Sequence, residues 1–448
     1  MRKLFSESVE MTKGSLWKNI FLFSLPLMFS QILEVMFNLS DVAVVGRFAS
    51  YQALGSVGST TLLVTLFTGF LIGMGSGVNV RTAHALGASN QKDTKKTIHA
   101  SLLLCLGIGL LIGLISFVFS PLFLNVLHTK DELMEGAVLY MKIYALGMPA
   151  MAVYNFGNGV LSARGETTRP LLYLTIAGIL NVLLNLFFVI QCHMAADGVA
   201  TASVIAQYVS ALLVLRNLFT RQDECRLHLS NLHFYKEACR SVLMLGIPAG
   251  IQNAIFAIAN LFVQAGVNSF DAVMVSGNAA SINADTLIFN IMFAFHTACS
   301  SFISSNLGYG DKKRMKKSYM ISIFYAFSAG AIFGVLLLLF GRQFLSLFAT
   351  DARVIDAGMQ RIHIMWFAYA VSAFMDGTIA ASRGIGQTVI PTVIVILGSC
   401  VFRIVWVYTI FAWVHTIPSL YLLYFFSWAI TSIAEMIYFF YSFRKIQV

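Results

Sequence analysis

The chain has 448 residues, of which 58% are hydrophobic and 11% charged, with a net charge of +10 and a mean hydropathy of +0.78. Soluble domains carry about 45–50% apolar and about 25% charged residues, so a soluble enzyme is excluded. The abundance of apolar residues excludes disorder as well.

A polytopic membrane protein remains. Lipid satisfies no backbone polar group, so the spans must be helices or a closed barrel. Barrel strands alternate apolar and polar residues, whereas this chain has unbroken runs such as SLLLCLGIGLLIGLISFVFSPLFL. The fold class expected is all-α, with twelve transmembrane helices.

In chain order, the polar start MRKLFSESVEMTKGSLWKN lacks a secretory cleavage pattern, so the first helix is read as a retained span. That helix, near 16–46, carries Pro26, which lacks a backbone donor and offers a bend. It also carries Gln31, Glu34, Asn38 and Asp41, spaced to share one face. The second, near 53–82, has Gly69, Gly73 and Gly77 as a small-residue face for close helix approach. The third and fourth lie near 94–127 and 133–160, the fifth near 168–191 with Asn181 and Asn185, and the sixth near 196–218 with Thr201. A charged linker, 219–237, follows. The seventh helix, near 238–268, holds Pro248, Asn253 and Asn260; the eighth, near 275–307, holds Asp285 and His296. The ninth lies near 316–348 and the tenth, with His363 and Asp376, near 355–381. The eleventh, with Arg403, lies near 389–413 and the twelfth, with Glu435, near 418–443. Each exceeds the roughly 20 residues that cross a bilayer core.

Short segments on one side of these spans hold 23 basic residues and those on the other side 6, with Arg361 among the 6 and Arg403 inside a span. Basic loops stay cytoplasmic, so both termini (1–15 and 444–448) and the linker are expected there. The same bias explains the positive charge without nucleic acid. An internal repeat is visible: LGASNQKDTKKT at 86–97 resembles LGYGDKKRMKKS at 307–318, and Gly165 aligns with Gly386 and Pro170 with Pro391 at the same offset of 221. Pro26 pairs with Pro248 at 222. Two parallel six-helix lobes, 16–218 and 238–443, are therefore expected, an arrangement that suits alternating access.

Five acids lie within spans, Glu34, Asp41, Asp285, Asp376 and Glu435, against one strong base, Arg403. An ionised group at mid-bilayer costs at least about 2.5–3.5 kcal/mol, so such residues usually face a cavity. Asp41, with Glu34, Asn38, Asn181, Asn185 and Thr201, is the expected coupling set for a proton or cation. Gln31, Asn253, Asn260, Asp285, Asp376 and Arg403 are the expected cavity set, with Arg403 pairing Asp285 or Asp376 and the other acid left to meet a cation. Pro26 and Pro248 are the expected hinges. The six cysteines show no CxxC spacing, and no metal site, no cofactor beyond a coupling ion and no catalytic set is read. There is no GxxxxGK[ST] for an ATP motor and no HExxH.

FNLSDVAVVGRF, GETTRPLLYLTIAGILNVLLNLFFV, GNAASINADTLIF and SRGIGQTVIP together resemble the motifs of the MATE (multidrug and toxic compound extrusion) transporters, with the pattern of bacterial MepA-like members. The resemblance covers nearly the whole chain. It implies two six-helix lobes in a bacterial-type inner membrane, exporting small organic cations or drugs in exchange for protons or sodium ions. No obligate protein partner is implied. Several relatives have Asp where this chain has Asn185, and commonly Gln where it has Glu34. NorM-like relatives carry a Glu near Phe256, which is missing here. The rival expectation is a flippase for a lipid-linked saccharide or cell-envelope precursor, disfavoured by the excess of acids over bases in the spans.

Overall fold

The computed structural model describes residues 8–447; of the expected tails, residues 1–7 and 448 lie outside it. Every regular element among the described residues is helical. In chain order they are α1 (Leu16–Phe48), α2 (Tyr51–Gly87), α3 (Gln91–Val126), α4 in two pieces (Asp131–Leu146 and Met148–Ala163), α5 (Thr168–Gln191), α6 (Ala196–Thr220), α7 (Lys236–Val267), α8 (Ala272–Tyr309), α9 (Lys312–Leu345), α10 (Ala352–Gly384), α11 (Val389–Val414) and α12 (Ile417–Lys445). Eleven are each long and apolar enough to cross a membrane. The two pieces of α4, bent by 45°, make a twelfth span. The bend falls at Gly147, and Pro149 in the first turn of the second piece cannot continue a helical hydrogen-bond ladder.

The helix ends explain why the repeat is legible. Asn90 and Asp311, 221 residues apart, cap α3 and α9 by accepting from the amides of Asp93 and Arg314. Gly165 and Gly386 both adopt left-handed backbone, φ +84° and +83°. A side chain there would be strained, so both halves keep glycine.

The chain forms two compact units. Unit 1 holds Phe29–Ala254 with Val9; unit 2 holds Glu10–Met28 and the chain from Ile255 onward. These units differ from the lobes drawn at the repeat boundaries. The first stretch of α1 belongs to unit 2 and the first stretch of α7 to unit 1, and the changeovers fall just after Pro26 and Pro248. In unit 1 the glycine face of α2 meets that stretch of α7 backbone to backbone. A Cβ on Gly73 would sit 2.3 Å from the Gly250 nitrogen, and one on Gly77 2.7 Å from the Gly246 nitrogen. Asn253 donates to the Gly69 carbonyl at 2.9 Å across the same seam. In unit 2, Arg314 donates to three carbonyls ahead of α1, those of Met11 (3.1 Å), Lys13 (2.7 Å) and Gly14 (3.0 Å).

The linker is docked on unit 1. Arg221 donates to both oxygens of Glu166, at 2.5 and 3.1 Å, and to Asp223. Burial pushes the Asp223 carboxyl upward, but the hydrogen bond and charge of Arg221 outweigh it and hold Asp223 below the usual carboxylate range. Buried Cys225 and Leu227 follow, and the His228 amide donates to His99 Nε2 at 2.9 Å.

Candidate functional site

In unit 1 the far half of α1 meets α5 and α6. Asp41 lies just over four turns beyond Pro26. Its Oδ1 accepts from Asn185 Nδ2 at 2.5 Å and its Oδ2 from Ser203 Oγ at 3.4 Å. Asn185 Nδ2 also reaches Asn181 Oδ1 at 3.3 Å, and Asn181 Nδ2 donates to Ser203 Oγ at 3.2 Å. The i, i+4 spacing of the two asparagines puts both amides on one face of α5. Both are buried, and Asn185 Oδ1 is enclosed without a partner. The cluster gathers oxygen donors around one carboxyl group and contains no basic side chain. Hard oxygen ligands of this kind suit a proton or a small hard cation.

The other members of the expected coupling set sit differently. Thr201 donates to the Asp197 carbonyl at 2.8 Å, back along its own helix; Ser203, not singled out in the sequence, is the α6 hydroxyl that reaches Asp41. Serine in a membrane helix is common packing glue, so nothing in the sequence distinguished it. Glu34 and Asn38 are exposed and Gln31 is half-buried. None of the three has a hydrogen-bond or ion-pair partner among the described residues. Asn253 is engaged with Gly69 in the α2–α7 seam.

In unit 2 the expected pairing of Arg403 with Asp285 or Asp376 is corrected, since Arg403 pairs with neither. Arg361 on α10 donates to Asp285 Oδ2 at 2.5 Å, and Tyr369 donates to Asp285 Oδ1 at 2.5 Å. Arg361 is 2% exposed, so it does not belong with the basic residues of the loops. It lies about two and a half turns inside α10, a depth that charge counting along the sequence does not register. Arg361 also lies 5.2 Å from the Tyr421 ring centre. Asp285 is therefore a neutralised acid tying α8 to α10.

Arg403 has other partners. Its Nε donates to Ser427 Oγ at 3.3 Å and its Nη1 to Asn260 Oδ1 at 3.1 Å. Asp376 is half-buried, with no hydrogen-bond or ion-pair partner among the described residues. Glu435 is fully buried, and both its oxygens lack partners. His296 is buried with Nε2 unpartnered, while His363 Nδ1 bonds the Met359 carbonyl at 2.7 Å within its own helix. No group of three or more metal-ligating side chains is present among the described residues.

Comparison with known proteins agrees with the repeat and the fold. The MatE family profile matches twice, over residues 26–187 and 248–409. The chain is 25% identical to the "Probable multidrug resistance protein YpnP" of Bacillus subtilis over 87% of each chain. It is 19% identical to the "Multidrug export protein MepA" of Staphylococcus saprophyticus, covering 77% of this chain and 76% of that one. Among solved structures, a "MOP superfamily transporter from Pyrococcus furiosus" superposes with a TM-score of 0.91 at 20% identity, covering 98% of both chains. With twelve apolar spans and a duplicated profile covering most of its length, the chain belongs to the MatE family of multi-pass membrane transporters.

Proposed function

We propose that this chain is a secondary exporter of organic cations or drugs, driven by a proton or sodium gradient, in a bacterial-type inner membrane with both termini cytoplasmic. The observation that carries the reading is the Asp41 cluster: a carboxyl group in a span, held only by neutral donors. With no fixed cation beside it, the carboxylate gains most from an arriving proton or sodium ion. The unpartnered Asn185 Oδ1 adds a ligand for either. Binding of the ion removes the net charge and lets the far half of α1 repack, which expels drug; release on the cytoplasmic side resets the site. Curated relatives named for multidrug resistance or export support the substrate class.

The test is transport of a fluorescent organic cation into proteoliposomes under imposed proton or sodium gradients. Wild type should respond to one gradient. Asp41→Asn, a mimic of the neutral form, should fall to background while melting at the wild-type temperature. Wild-type transport by Asp41→Asn would make the cluster mere helix packing.

A further inference from the structure

Arg403 is a cation that the coupling cluster does not use. It is 2% exposed. It sits on one α-helical turn of α11, Phe402–Trp406, between π-helical turns at Ile396–Val401 and Val407–Phe411. Such wide turns are rare and gather at functional sites, where they re-aim a side chain. Its two hydrogen-bond acceptors, Ser427 Oγ and Asn260 Oδ1, are neutral. No carboxylate oxygen lies within 4.0 Å of the guanidinium among the described residues. Nη2 has no acceptor among the described residues and, unlike the enclosed Nε and Nη1 of Arg361, it is not sealed off.

The surroundings are aromatic and open on one side. The guanidinium carbon lies 4.6 Å from the ring centre of Tyr424, 5.5 Å from Trp428 and 5.7 Å from Phe256. Asn260 is exposed, so the site is open on that side. Asp376, on neighbouring α10, is half-buried and has no ion-pair partner within 4.0 Å among the described residues.

On α1 and α7, where the repeat offset is 222, Asn38 corresponds to Asn260, Glu34 to Phe256 and Asp41 to Val263. The acids of α1 are thus replaced by apolar residues on the helix that meets Arg403 through Asn260 and Phe256.

We propose that Arg403 is the anion-recognition residue of a zwitterion site in unit 2. It takes the carboxylate of an aromatic compound whose ring stacks among Tyr424, Trp428 and Phe256 and whose ammonium group faces Asp376. This rests on the reading of the chain as a cation exporter and adds a second charge to its substrate. A guanidinium with a free nitrogen and only neutral partners matches a carboxylate better than any apolar or cationic group does.

The test is equilibrium binding to the purified full-length chain of three probes on one scaffold. These are naphthylalanine, its methyl ester, which keeps only the cation, and its N-acetyl derivative, which keeps only the anion. Naphthylalanine should bind about tenfold tighter than the ester, as expected for a charge-assisted hydrogen bond. Arg403→Gln should erase that ratio and, by removing a like charge, leave ester binding at least as tight as in wild type. Asn260→Asp keeps the arginine but hands it a carboxylate of its own; it should also erase the ratio, with ester binding strengthened. If Arg403→Gln does not fold, Asn260→Asp decides alone. A wild-type ratio near one overturns the proposal, as does an equal loss for both ligands in Arg403→Gln, which would mark a packing role. Binding of the ester with no preference for the zwitterion removes this site but leaves the cation exporter standing. Failure of all three probes removes both.

Discussion

Asp41 and Asp285 are both carboxylates inside membrane helices, yet their surroundings are opposite in charge. Asp41 meets two neutral donors, Asn185 and Ser203. Asp285 meets a buried guanidinium and a phenol. A fixed cation cancels the charge of Asp285 within the fold. Neutral donors leave the charge uncancelled, as the coupling role proposed for Asp41 requires. An acid within a span thus marks function only when its partners are known.

The sharpest way to break this comparison is to remove the cation from Asp285. Arg361→Met should cost about 3–5 kcal/mol, because it strands a buried carboxylate. Thermal unfolding in detergent should show a large drop in Tm, and adding Asp285→Asn should recover most of it. An unchanged Tm would place Asp285 with Asp41 as a free acid. A smaller effect is expected in unit 1. Asn185→Ala removes a donor to Asp41 worth about 1.5–3 kcal/mol, so gradient-driven transport should fall about tenfold or more with little change in Tm. Asn185→Asp should retain coupling with a shifted ion or pH dependence. Smaller again, Ser203→Ala should slow transport by a few fold at its long 3.4 Å contact, whereas Thr201→Ala should leave it unchanged. Equal effects of the two would mean that the hydroxyls serve α6 and not the acid.

The smallest effect concerns the docked linker. Asp223 has a lowered pKa in the folded protein. Its contribution is therefore fully present above the unfolded value of about 3.9 and is lost only as pH falls through the lower folded value. Burial keeps the Cys225 thiol pushed up to about 12. In a background with Cys225 as the single cysteine, labelling by dithiodipyridine should show constant protection from pH 8 to about pH 5. Protection should fail only in stronger acid. Arg221→Ala should expose the thiol at neutral pH.

Much of this was legible in the sequence, for reasons that can be named. Long apolar runs define helices because lipid leaves the backbone no alternative, and Asn90, Asp311, Gly165 and Gly386 recur because caps and left-handed turns admit few residues. The Asp41–Asn181–Asn185 grouping followed from helical spacing and the cost of polarity in a span. Ser203 and Thr201 could not be separated, since the rotation of α6 decides which hydroxyl reaches the acid. The partner of Asp285 could not be read either, because Arg361 is 76 positions away and only the packing of α8 on α10 joins them. The changeover of α1 and α7 between units was equally hidden, since hydropathy reports that a helix spans and says nothing of its neighbours.

The three carbonyls gripped by Arg314 bear on how the chain is made. The residues they belong to leave the ribosome some 300 positions before the arginine that holds them. At about 5–20 residues per second, the start of α1 waits at least about 15 seconds for its permanent neighbours. During that interval the leading helix is in the membrane with the unit 2 contacts of its first turns unmade. The first half of the gene, expressed alone, should yield a product lacking the neighbours of its own first turns, and co-expression of the second half should rescue it.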